Sequence, residues 1–172
     1  KIFDTSTPGV RVELTAGDNA AVNLGEILAQ SGQIGIYGAV LRNAGIINAD
    51  QVVRSASGKI VLRAKQDVTL DAGSRLSANG EHGGEITVES ETGTTLASGI
   101  VEAKGTGEAS GTGGTIQLLG NRVGLIAANV DVSGTTGGGT VLVGGNFHGA
   151  GPEPGGAPRK EPSSASARRR IS

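Results

Sequence analysis

The residues of this 172-residue sequence whose types and spacing could support chemistry are two histidines, two close pairs of carboxylates and three glycine-rich stretches. His82 lies in Asn79-Gly80-Glu81-His82-Gly83-Gly84, and His148 lies 66 positions further on. Neither has the spacing of a metal-ligand motif such as H-E-x-x-H, so both read as exposed turn residues. Glu89 and Glu91 stand two apart, as two carboxylates on one face of a strand would, and Asp67 and Asp71 could do the same on a longer strand. Paired acids of this kind can cleave glycosidic bonds. A sugar-cleaving groove also needs aromatic or basic groups around its acids. The chain has three aromatics, Phe3, Tyr37 and Phe147, so the acids read as a solvated strand face. Ser57-Gly58-Lys59-Ile60 lacks the leading glycine of a phosphate loop and the Ser or Thr after its lysine. Gly105-Thr106-Gly107 and Gly137-Gly138-Gly139 open no helix. No calcium-binding nonapeptide is present. With no cysteine, thiolate metal sites and cysteine nucleophiles are excluded. The sequence therefore assigns no catalytic, cofactor-binding or metal-ligating residue and points away from an enzyme.

Composition narrows the class further. There are 31 glycines, about 18% of the chain against a usual 7% or so, without the every-third period of collagen. No segment approaches the roughly 18 apolar residues of a membrane helix. Five basic and two acidic side chains make residues 151–172 +3, which leaves residues 1–150 at −4 within a net charge of −1. A mildly acidic body has no basic stripe with which to release phosphate counterions, which argues against nucleic acid as a partner. The chain has no methionine and opens on Lys1-Ile2-Phe3-Asp4 with no signal segment. It reads as a piece of a longer polypeptide.

What must position any functional residue is a repeat. A glycine, one residue, then apolar-x-apolar occurs at Gly32-Gln33-Ile34-Gly35-Ile36, Gly58-Lys59-Ile60-Val61-Leu62, Gly84-Glu85-Ile86-Thr87-Val88, Gly114-Thr115-Ile116-Gln117-Leu118 and Gly139-Thr140-Val141-Leu142-Val143. The steps are 26, 26, 30 and 25 residues, and the long one contains the apparent loop insertion Gly105 to Gly113. A second alternating pair follows in each repeat (Val68-x-Leu70, Thr94-x-Leu96, Val123-x-Leu125), then a third (Leu76-x-Ala78, Val101-x-Ala103, Val130-x-Val132). The first repeat fits less neatly, with Val40-Leu41 and Ile46-x-Asn48 in these slots. Ahead of it, Val10-x-Val12-x-Leu14 and Val22-x-Leu24 resemble one more turn.

Period-2 alternation between Gly, Asn, Asp and Ser clusters indicates strands, and no window sustains a helical period. Three short strands every 25 or so residues predict an all-β parallel solenoid of about six coils over residues 1–150, a rod roughly 30 Å long at 4.8 Å per coil. Ile, Val, Leu and Ala would stack on themselves in its narrow core, with glycines at corners where positive φ is common. An antiparallel sandwich would not explain the constant period. Residues 151–172 hold four of the five prolines, then Ser163-Ser164-Ala165-Ser166-Ala167 and three arginines. They are predicted to be a disordered tail.

The repeats resemble the filamentous-haemagglutinin type of exoprotein exported by two-partner secretion in Gram-negative bacteria. The resemblance is carried by Gly32-Gln33-Ile34-Gly35-Ile36-Tyr37, by the run from Gly58 to Leu70, by Asn121-Arg122-Val123-Gly124-Leu125 and most specifically by the run from Val132 to Phe147. It spans about residues 9–154. It implies a right-handed parallel β-helix in the N-terminal part of a long secreted or cell-surface adhesin. The implied partners are an outer-membrane transporter, engaged through a part of the protein outside this sequence, and a host-cell glycan or protein. The family's asparagine-proline-asparagine secretion signatures are absent, and residues 155–172 do not continue the strand pattern, which suggests a truncated or frame-shifted reading there. Two other roles are compatible with the fold: a passive stalk of a contact-dependent growth-inhibition toxin, and a polysaccharide-acting β-helix enzyme.

Overall fold

The computed structural model describes residues 10–51 and 57–144. Within them the chain is all-β and winds through five complete coils into the opening strand of a sixth. The first coil comprises Arg11–Thr15 (β1), Ala20–Asn23 (β2) and Glu26–Leu28 (β3). The second comprises Gln33–Gly38 (β4), Val40–Asn43 (β5) and Ile46–Asn48 (β6), and the third Lys59–Ala64 (β7), Val68–Leu70 (β8) and Arg75–Ser77 (β9). The fourth comprises Glu85–Ser90 (β10), Thr94–Ala97 (β11) and Ile100–Glu102 (β12), and the fifth Thr115–Leu119 (β13), Arg122–Leu125 (β14) and Asn129–Asp131 (β15); Thr140–Val143 (β16) follows. The first strands of the coils form one six-stranded sheet, and the second and third strands form two five-stranded sheets. Every strand pairing is parallel. This is the predicted parallel solenoid. The tail predicted at 151–172 lies outside the described residues.

The core is a set of columns, one residue per coil. In the first sheet Val12, Ile34, Ile60, Ile86, Ile116 and Val141 are register partners, as are Leu14, Ile36, Leu62, Val88, Leu118 and Val143. In the third sheet Ile27, Ile47, Leu76, Val101 and Val130 stack likewise. Each such Ile or Leu contributes about 1.5–3 kcal/mol by leaving water. Ile60, Leu62, Leu70, Leu76, Ile86 and Leu118 are fully buried.

The structure shifts the inward phase of three predicted pairs by one residue. In β11 the residues registered on Val68 and Leu70 are Thr95 and Ala97, not Thr94 and Leu96. Thr95 can face the core because its hydroxyl donates to the Leu119 carbonyl at 2.6 Å. In the first coil Ala21 and Asn23 continue the columns of Leu41 and Asn43, which leaves Val22 and Leu24 exposed. In β6 the inward residues are Ile47 and the following Ala49, while Asn48 faces outward and binds Asp50.

The corner glycines also have a different cause from the one predicted. Among the described glycines only Gly17 and Gly144 have positive φ. At Gly84 a Cβ would meet the Gly58 carbonyl oxygen at 2.1 Å, at Gly114 that of Gly84 at 2.0 Å, and at Gly139 that of Gly114 at 1.9 Å. The coil-to-coil hydrogen bonds run through those same carbonyls, from Glu85, Thr115 and Thr140 N–H at 2.9 Å. A bare backbone lets the coils close to ladder distance at this corner. The insertion in the long repeat is likewise built into the stack. Gly105 bridges Gly80 below and Gly134 above, and Thr112 bridges Gly137.

Candidate functional site

The outer face of the first sheet carries the charges. Register places Lys59 on Glu85 and Arg63 on Glu89, so the third coil presents a basic row and the fourth an acidic one. Lys59 Nζ lies 2.9 Å from Glu85, and Arg63 lies 2.7 Å from Glu89. Glu89 is therefore half of an ion pair between coils. Glu91 lies just beyond the end of β10, where its charge acts on Lys65. Lys65 itself pairs with Asp18 two coils back at 2.6 Å. That contact holds the exposed Asp18 carboxyl below its usual range and raises Lys65. Tyr37, next to Arg63 in register, lies back across Gly35, whose Cβ would come within 2.9 Å of its ring.

The other two predicted acids also meet partners one coil away. Strand β8 spans only Val68–Leu70, so Asp67 and Asp71 flank it. The Asp67 carboxylate accepts the Thr94 N–H at 2.7 Å. Asp71 holds Arg42 at 2.8 Å and raises its pKa. His82 Nδ1 lies 3.0 Å from Thr112 Oγ1 on the surface, and His148 lies outside the described residues. Among the described residues no three His, Asp or Glu side chains converge as a metal would need.

The densest polar constellation was not singled out by the sequence. It stands on the outer face of the third sheet, where Asn48, Ser77, Glu102 and Asp131 form one column. Asp50, Asn79, Lys104 and Ser133, each two residues further on, form a second beside it. Glu102 is its centre, with a side chain 4% exposed. Arg75 binds Glu102 Oε1, and Asn79 Nδ2 donates to the same oxygen at 3.2 Å. Lys104 Nζ donates to Oε2 at 2.8 Å and lies 3.6 Å from Asp131. Asn79 Nδ2 also donates to Ser77 Oγ at 3.0 Å, and Asn79 Oδ1 accepts the Lys104 backbone N–H at 2.7 Å. Asp50 Oδ1 accepts the Asn79 N–H at 2.6 Å and the Ser77 hydroxyl.

Burial pushes the Glu102 carboxyl up, but the hydrogen bonds from Lys104 and Asn79 and the charge of Arg75 outweigh it and leave the pKa lowered. The Lys104 ammonium is stabilised in turn by Glu102 and by Asp131. Hydrogen bonds from Ser133 hold Asp131 low. The only sequence signal for this cluster was its 25- to 29-residue spacing, which becomes legible once the register is known.

Among the described residues there is no helix, and so none long and apolar enough to cross a membrane. Comparison of the chain with protein-family models, with curated proteins and with solved structures found no match.

Proposed function

We propose that this chain is a structural and adhesive segment of a large filamentous-haemagglutinin-like adhesin, secreted or held at the bacterial cell surface. In this reading the whole protein leaves through a two-partner outer-membrane transporter, and the rod meets a host-cell glycan or protein. The supporting observation is the commitment of the acids to the stack. Glu89, Asp71 and Asp67 are each bound by a partner one coil away, which is how a shaft keeps its register. A chain lacking cysteine and built of repeated coils also suits export, because each coil gains a ladder and core contacts as it docks on the one before it.

Titration of the full chain onto a glycan array, erythrocytes and epithelial cells at physiological salt tests this. Saturable binding to a defined sugar or cell places adhesion in this segment. Binding no better than a scrambled control makes it a passive stalk. Depolymerisation of an acidic polysaccharide that disappears in Glu89→Ala or Glu91→Ala would replace both with an enzyme.

A further inference from the structure

We propose that Lys104 and Asn79 are the two halves of a self-forming isopeptide cross-link between the fourth and third coils, with Glu102 as its acid–base group. The three roles that amide exchange requires are all filled. Glu102 Oε2 accepts a hydrogen bond from Lys104 Nζ at 2.8 Å, which places a base beside the nucleophile. Its other oxygen holds Asn79 Nδ2, the leaving group, at 3.2 Å, so one carboxylate reaches both nitrogens. The carbonyl oxygen of the same amide accepts the Lys104 backbone N–H at 2.7 Å. That donor polarises the bond and faces the oxygen on which negative charge develops. Register keeps the groups together, since Ser77 pairs with Glu102 and each reacting residue lies two positions further on.

In the reaction the bond from Lys104 Nζ to Asn79 Cγ forms and the Cγ–Nδ2 bond breaks. Glu102 accepts a proton from the attacking nitrogen and delivers one to the departing nitrogen. Ammonia leaves, carrying the extra proton as ammonium when the lysine starts charged. No oxidant, reductant or co-substrate is consumed. The groups around the site are Glu102, Asp131 and Arg75, with Asp50 on the Asn79 side. The carboxylates keep Lys104 protonated at neutral pH, so the free-amine fraction, and with it the rate, rises as the solution is made alkaline.

The test is the intact mass of the folded full chain after incubation at pH 7 and at pH 9, followed by digestion with trypsin and a glutamate-specific protease. The expected result is a mass lower by one ammonia, reached faster at the higher pH. A branched peptide should then join Leu76–Glu81 to Ala103–Glu108. Lys104→Arg, which keeps the charge, should fold and retain its full mass. Glu102→Gln should slow the loss by at least about 100-fold, the size of a general-base contribution. An unchanged mass in the folded wild-type chain overturns the proposal. So does an ammonia loss that persists in Lys104→Arg without a branched peptide, because a succinimide at Asn79-Gly80 gives that result.

Discussion

An alanine at position 84 would place its Cβ 2.1 Å from the Gly58 carbonyl oxygen, against backbone that the Glu85 N–H already holds at 2.9 Å. Neither partner can retreat without opening the ladder between the third and fourth coils. Gly84→Ala is therefore expected to cost about 3 kcal/mol or more, in the range reserved for steric strain within a core. Gly73 supplies the control, since a Cβ there would meet nothing within 4 Å. Gly73→Ala should be neutral or stabilise by up to about 1 kcal/mol, through the unfolded chain alone. Urea denaturation of both variants separates distance from flexibility as the reason for glycine. Glu102 gives a second prediction at this scale. Its folded pKa is lowered, so its stabilising effect is complete at neutral pH and is lost as pH falls through the ordinary carboxylate range to that lower value. Denaturation midpoints measured from pH 7 down to pH 3 should show this loss. In Glu102→Gln the part of the slope belonging to this group should vanish, with a cost at pH 7 of about 1–3 kcal/mol. An unchanged slope would show that other carboxylates govern the acid limb.

Each strand had two alternating phases open to it, and side-chain type decided well only where one phase was wholly apolar. Ile60-Val61-Leu62 and Ile86-Thr87-Val88 sit in six-residue strands whose period is plain, and their inward residues read correctly. Thr94-Thr95-Leu96-Ala97 offered Leu96 on one phase and only a threonine and an alanine on the other. Hydrophobicity chose the wrong one, because the hydrogen bond that lets Thr95 enter the core lies in the next coil. Val22 and Leu24 misled in the same way beside Ala21 and Asn23, where Asn23 Nδ2 donates to Asn43 Oδ1 at 2.8 Å inside the stack. Local pattern thus gave the number and order of strands, whereas polar satisfaction between coils set their facing. The cluster around Glu102 escaped for a related reason. Its contacts between coils join residues 23 to 29 apart, which meet only through register. The two phases of β11 predict different mutants. Leu96→Ala would cost about 2–5 kcal/mol as a core deletion. With Leu96 facing outward against Gly124, it should cost under about 1 kcal/mol, and thermal unfolding of that variant decides between the two.

Across the whole rod, stability is close to a sum over neighbouring coils, because strand pairing joins each coil only to the one below and the one above. The third and fourth coils have both neighbours, and their inward residues Ile60, Val68, Leu76, Ile86, Val88 and Val101 have no exposed surface. Ion pairs add to the same junction, with Lys59, Arg63 and Arg75 of the third coil all meeting acids of the fourth. The described ends lack this support. Val22 and Leu24 stay 56% and 75% exposed in the first coil, which lines an open apolar cavity of about 580 Å³. At the other end Ile126 is 61% and Val143 44% exposed. Opening should therefore proceed inward from both ends in steps of a coil, and not as one all-or-none event. Native-state hydrogen exchange checks this directly. The amides of β7, β8, β10 and β11 should exchange slowest and as a group, with β1, β2 and β16 the fastest and intermediate values between them. Equal protection in every coil would instead mean that coupling between coils exceeds the stability of any one of them, and the rod would then unfold as a single unit.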